Sequence, residues 1–302
     1  MAGFRNVMDW ASSGREGNNW ISSFRKMPGS VTIAGQWFDF SYAAGMPPAN
    51  FYASAPLIAA ILDGKEGIYP GPNVSPLKKY IHRIMTMMGA ASATTVTCQN
   101  VRLMLMDYLL YYPFIDMDAA GEDQAFDNSV TLPRYADGEG VMMMLVAQGQ
   151  TVADGQFTVN YTNSTGTPGR VTPTHYCAAA QPAGALVSAV TAAAGVSPFI
   201  ALQSGDKGVR SVQSINFSVA NGAIAALALV KPLQPHLQSE EARRTTTGTL
   251  ESFGSPKEVE SITTRAGAIE ILDGAFLSFI GQTIAGSVAS SQLVGTLETL
   301  WR

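Results

Sequence analysis

DGEGVMMMLVAQGQTVADGQFTVNYTNSTGTPGRVTPT, residues 137–174, is the stretch whose reading decides the fold. From Val141 to Val146 the chain is continuously apolar; after it, Phe157, Val159 and Tyr161 alternate with Thr158, Asn160 and Thr162. Successive side chains on a strand point to opposite faces, so the second segment predicts a strand with one buried apolar face and one polar outer face. Ala153, Asp154 and Gly155 join the two segments. This is the pattern of a sheet core, and it contains no grouping of residues that catalysis requires.

The same pattern recurs outward from there. Downstream, Ile215, Phe217 and Val219 alternate with Asn216 and Ser218, Asn221-Gly222 predicts a type I′ turn, and 223–230 predicts the returning strand of a hairpin. Asp273-Gly274 predicts another hairpin, between 268–272 and 275–280. Upstream, 94–97 and 101–112 read as strands, although Leu and Met in the second also suit a helix. Trp37, Phe38 and Phe40 lie in a further strand-like run, which Gly45-Met46-Pro47-Pro48 must break.

One amphipathic helix is expected over 75–88. Ser75 would be its N-cap and Pro76 its first residue; Leu77, Tyr80, Ile81, Ile84, Met85 and Met88 fall at helical spacing, and Gly89 would end it. Residues 185–194 read as a short helix or a surface loop, and 231–257 as a long polar loop carrying Glu240, Glu241, Arg243 and Arg244. Residues 1–30 mix Phe4, Trp10, Trp20 and Phe24 with Arg5, Arg15, Arg25 and Lys26. They read either as an extended N-terminal arm or as a packed helix with Phe4, Val7 and Met8 on one face. The end of the chain, 293–301, is apolar enough to be ordered, with Trp301 against the body or a neighbour. The expected fold is mainly β: an antiparallel β-sandwich or jelly-roll-like body over 31–302, one amphipathic helix and the N-terminal arm.

Charged residues make up 14% of the 302 residues, against roughly 25% in ordinary soluble domains, which suits a surface shared with neighbours. A net charge of −4 supplies no basic groove for phosphates, so no direct nucleic-acid contact is expected. No uninterrupted apolar run is long enough to span a bilayer and the N-terminus lacks a signal-peptide pattern, so no membrane partner is expected. Cys98 and Cys177 are then expected reduced.

Four chemistries are conceivable from the residue types present. Asp116, Asp118 and Gly121 match positions 1, 3 and 6 of a calcium loop, but Ala120 holds position 5 and Asp127 stands where a bidentate Glu belongs. His82, Cys98, His175 and Cys177 are acceptable zinc ligands without the spacing of a zinc motif. With His82, His175 and His236 the only histidines and no Gly-x-Ser-x-Gly elbow, a hydrolytic triad has no local support. A carboxylate-pair glycosidase built on Asp116, Asp118, Glu122 and Asp123 has no signature beyond surface charge. No catalytic residue, metal or cofactor is expected.

Several segments resemble accessory structural proteins of tailed bacteriophages. They are Gln36-Trp37-Phe38-Asp39, Glu66-Gly67-Ile68-Tyr69, Asn73-Val74-Ser75-Pro76 with Lys78-Lys79-Tyr80, the run from Tyr112 to Asp118, Tyr161-Thr162-Asn163, and Gln203-Ser204-Gly205 through to Ile215. The resemblance implies a β-rich, self-associating decoration or cement protein on the exterior of the capsid, binding the major capsid protein as a homo-oligomer, with a trimer favoured. Expected contact residues are Phe4, Trp10, Trp20, Phe24 and Trp301, with the polar strand face of Thr158, Asn160 and Thr162 and the adjoining Arg170. The alternatives are a tail or receptor-binding module that reads a glycan through loops 118–128 and 231–257, and a glycan hydrolase.

Overall fold

The computed structural model describes residues 3–90, 98–187, 197–242, 252–253, 257–260, 268–283 and 291–302. Among them, helix α1 (Val7–Arg15) is followed by strands β1 (Asn19–Met27), β2 (Trp37–Asp39), β3 (Ala44–Met46), β4 (Ala60–Ile61), β5 (Lys79–Ala90), β6 (Cys98–Asp116), β7 (Asp123–Ala125), β8 (Met142–Ala147) and β9 (Gly155–Asn163). Then come β10 (Arg170–Val171), β11 (His175–Cys177), β12 (Val209–Val219), β13 (Ile224–Ala242), β14 (Ser252–Phe253), β15 (Lys257–Glu260), β16 (Glu270–Ile271), β17 (Phe276–Thr283) and β18 (Ser291–Trp301). The chain is mainly β, an antiparallel β-sandwich body.

A large sheet runs β2-β17-β6-β13-β5-β18-β1-β3, with β8 on β13, β4 on β6, and β14, β15 and β16 on β5. A smaller sheet runs β10-β9-β12-β7, with β11 on β9. The 137–174 stretch contributes to both layers. β8 pairs with β13 in the large sheet and β9 with β12 in the small one, so 148–154 carries the chain across the sandwich. Met143, Leu145 and Ala147 meet Phe157, Val159 and Tyr161 in one core, shared with Leu227, Leu229, Ile215 and Phe217. Met144 and Val146 point the other way, into a cluster with Trp37, Tyr52, Tyr108 and Phe276. Both faces of β8 are covered, which is why its run is continuously apolar, whereas β9 alternates because its outer face is half-exposed. The remaining part of the large sheet curls on itself: Phe24, Ile84 and Leu297 pack with Leu103, Leu237 and Phe279.

The helix expected over 75–88 is instead strand β5. Thr299 pairs with Ile81 and Glu298 with Arg83, leaving His82 as a bulged extra residue. The bulge shifts the phase of the pleat, so Ile81 and Ile84 point to the same buried side before Thr86 and Met88 resume alternation. A strand with one bulge thus imitates an i, i+3 helical step. Among the described residues the helix that does occur is α1, and β1 is a strand of the large sheet between β18 and β3, so the expected arm, as far as it is described, is packed onto the body and not extended.

Of the loop expected over 231–257, residues 231–242 are strand, since β13 continues along β6 with register shifts around Pro232, Gln234 and Leu237 that accommodate the prolines; 252–253 and 257 are strand as well, and 243–251 and 254–256 lie outside the described residues. Neither expected hairpin pairs with itself. β12 bonds β9 and β7 while β13 bonds β6 and β8, so Asn221-Gly222, with Gly222 at φ +74, is a corner between the two sheets. Likewise β16 pairs with β5 and β17 with β6 and β2 around the Asp273-Gly274 turn. The readings at 94–97, and at 185–194 beyond Val187, fall outside the described residues.

Candidate interaction surface

The N-terminal aromatics are organised by α1. Asn6 caps the helix by accepting from the Asp9 N–H at 2.9 Å, and Arg15 lies in the last turn, favourable for the helix dipole. Trp10 and Ser13 form the buried side. The Trp10 Nε1–H donates to His82 Nδ1 at 3.0 Å, and Ser13 Oγ donates to the Trp301 carbonyl at 2.8 Å. Phe4 packs edge-on against Trp10, with ring centroids 4.6 Å apart, and beside Tyr80 at 5.4 Å. Together these contacts fix α1 on the end of β18.

Between α1, β1, β5 and β18 lies a cleft of about 200 Å³ lined by Trp10, Trp20, Ile21, His82, Glu298 and Leu300 among others. Arg83 holds the Glu298 carboxylate with two bonds, Nε at 3.1 Å and Nη2 at 2.6 Å, and reaches Glu258 at 3.1 Å; these bonds raise its already high pKa. Two of its large apolar side chains stay in solvent, Trp20 at 41% exposed and Ile21 at 56%, and on α1 Val7 and Met8 are 68% and 76% exposed. Trp20 leans edge-on against Tyr69 with centroids 5.5 Å apart.

The expected contact residues therefore divide. Trp20 is exposed, Phe4 and Trp301 are half-buried, and Trp10 and Phe24 are core. Phe24 lies against Phe279 at 5.1 Å because even-numbered β1 residues from 24 onward face inward. The structure adds Ile21, which the sequence could not single out. Its exposure depends on which face of β1 the rest of the sheet covers.

Thr158, Asn160 and Thr162 lie together on the half-exposed outer face of β9. Arg170, next to Tyr161 across the ladder, is held by Asp206 at 2.9 Å. Asp206 also accepts from Tyr161 Oη at 2.5 Å and Asn163 Nδ2 at 2.7 Å. Burial alone would raise its pKa, but donation from Arg170, Tyr161 and Asn163 holds it below the usual carboxylate range. This cluster ties β9 and β10 to the loop before β12; it leaves Arg170 occupied within the chain.

Among the described residues, the candidate histidines and Cys177 are not brought together as a metal site. His82 sits under Trp10, whereas His175 accepts from the Ala201 N–H at 3.2 Å and stacks on Phe157, in the other half of the fold. Cys177 is buried, and desolvation pushes its thiol up to about 12. Between the end of β6 and the start of β7, Asp116 accepts from the Asp118 N–H, Asp118 from the Gly222 N–H and Asp123 from Asn216, so the carboxylates turn to separate partners. Among the described residues no group of three or more His, Cys, Asp or Glu side chains is placed to hold a metal ion.

The most elaborate polar cluster is internal. Asp39 accepts from Ser41 N–H and Oγ at 2.8 and 2.7 Å, from Tyr108 Oη at 2.6 Å and from Tyr52 Oη. Nearby, Lys26 Nζ donates to the carbonyls of Ala43, Pro47 and Pro48 at 2.9, 2.9 and 3.1 Å. Burial raises Asp39 against the pull of those hydrogen bonds, and lowers Lys26 to about 8 against the charge of Asp39. The side chains of Asp39, Ser41, Tyr52, Tyr108 and Lys26 are buried, and the cluster fastens segment 39–52 to the sheet.

No family model matches the chain, and no curated protein matches it. Among solved structures it is similar to a chain of "Structure of infectious bursal disease virus Gx strain", with 8% identity, 94% of this chain and 79% of that chain covered, and a TM-score of 0.17. A likeness of that size carries no argument about fold or function.

Proposed function

We propose that this chain is a structural protein of a tailed-phage virion, a capsid decoration or cement protein that self-associates and bridges neighbouring major capsid subunits. The observation that carries the reading is that Trp20 and Ile21, which line one cleft, stay in solvent, as do Val7 and Met8 on α1, on a chain with little surface charge to keep such apolar surface apart from others. Patches of this kind mark protein contacts, and many weak bridges repeated over a shell add by avidity against internal pressure. The segment resemblance supports the same reading, and the separated histidines and carboxylates give no support to an enzyme.

The test is direct. Purified protein is added to expanded heads of the phage that encodes it, and binding and thermal rupture are measured. Saturable binding with a raised rupture temperature is expected; absence of binding to those heads overturns the proposal.

A further inference from the structure

Beside the cleft, half of strand β1 is an open sheet edge among the described residues. The Trp301 N–H donates to the Asn18 carbonyl at 3.1 Å, and Asn19 pairs with Leu300. In an antiparallel ladder the backbone bonds of successive residues point to opposite sides. The even residues from Asn18 to Phe24 therefore bond β18, and Asn19, Ile21 and Ser23 direct their N–H and C=O groups away from it. On that outer side β3 takes only Arg25, Lys26 and Met27. Among the described residues no backbone hydrogen bond reaches the outward groups of Asn19, Ile21 or Ser23, and all three residues are exposed.

The neighbouring loop does not cover this edge. Ser22 Oγ donates to the Tyr69 carbonyl, Thr299 Oγ1 to Pro70 at 2.9 Å and Lys79 Nζ to Gly71 at 3.2 Å. These contacts hold 69–71 over the sheet face. Natural sheets blunt an open edge with Lys, Pro or a bulge. Residues 17–24, Gly-Asn-Asn-Trp-Ile-Ser-Ser-Phe, contain no charge and no proline, and β1 pairs with β18 in unbroken register.

We propose that this edge pairs antiparallel with the same edge of a second copy of this chain, about a two-fold axis at Ile21, continuing the large sheet across a dimer. The strip is self-complementary in that register. Asn19 faces Ser23 of the second copy, Ile21 faces Ile21, and every outward N–H and C=O finds its counterpart. The pairs are neutral against neutral and apolar against apolar. Moving the centre one residue toward Phe24 sets Asn19 against Arg25, whose outer side β3 already fills; moving it toward Asn19 sets Ser23 against Gly17, where the chain turns away at φ +79. The contact is two-fold in place of the trimer implied by resemblance. It deepens the self-association in the proposed function and rests on that part of it, but is measured without heads, so its failure leaves the head-binding test standing.

The experiment uses the full chain, in sedimentation velocity with one variant and in oxidative cross-linking with three cysteine variants. Wild type is expected to sediment as a concentration-dependent dimer, and Ile21→Lys, which sets two cations against each other, as a monomer with unchanged melting temperature. Facing residues of a hydrogen-bonded pair have Cα atoms about 5.5 Å apart, within disulfide reach. Under oxidation Ile21→Cys should form a covalent dimer, Ser23→Cys alone should not, and Ser23→Cys mixed with Asn19→Cys should cross-link between copies. A monomeric wild type, an Ile21→Lys protein that still dimerises, a trimer insensitive to that change, or cross-linking in another register each overturns the proposal.

Discussion

Replacing Phe24 by alanine separates a core role from a contact role on β1. Phe24 is 3% exposed, its ring lies 5.1 Å from that of Phe279, and it packs among Ile84, Leu293 and Leu297. Truncating a buried Phe costs about 3–5 kcal/mol through lost transfer energy and the cavity left behind. At roughly 2 °C per kcal/mol for a chain of this size, the melting midpoint should fall by about 6–10 °C. Ile21→Ala, at a residue more than half exposed, should shift stability by no more than about 0.5 kcal/mol while weakening self-association. The assay is thermal and urea unfolding of both variants beside sedimentation of each below its transition. A Phe24→Ala protein that keeps its melting temperature but loses association would refute the reasoning. It would mean that β1 lies one residue out of register, which turns every side chain to the opposite face.

Three further outcomes are expected. A Cβ at Gly295 would lie 2.1 Å from the Met85 carbonyl oxygen and 2.6 Å from the Phe24 ring, so Gly295→Ala should cost about 3 kcal/mol in urea unfolding, the upper end for overpacking because backbone cannot yield. Tyr161→Phe removes a donor to Asp206 and an acceptor for the Gln203 N–H, and should cost about 1.5–3 kcal/mol by the same measurement. Lys26 has a folded pKa of about 8 against 10.5 unfolded, so between those values the unfolded chain holds the extra proton and stability rises with pH. That contribution is complete above 10.5 and lost as pH falls through 8; melting curves from pH 8 to 10 should show a rise in wild type that is smaller in Lys26→Met.

Much of the strand content was legible in the sequence because it depends on local alternation. β9 could be read from Phe157, Val159 and Tyr161, and β8 from its apolar run. The β5 region was misread because the bulge at His82 gives Ile81 and Ile84 a helical interval, and only the pairing with β18 reveals the extra residue. The prolines and charges of 231–242 suggested a loop because β13 absorbs them in register shifts against β6, a partner more than a hundred positions away. Of the contact surface, Trp20 was legible as an aromatic in a polar setting, whereas Trp10 and Phe24 were not separable from it by type.

By itself the sequence determined that this is a β-rich chain of low charge, that it turns at Asn221-Gly222 and Asp273-Gly274, and which face of β9 is buried, since each follows from side-chain alternation and turn chemistry over a few residues. The tertiary structure decided which strands pair. It sent β8 and β9, and then β12 and β13, into opposite sheets, because hydrogen bonds along a strand edge specify no partner until apolar faces from distant segments close over one another. That same closure buried Phe24, left Ile21 in solvent and, among the described residues, made an open edge of residues 19–23.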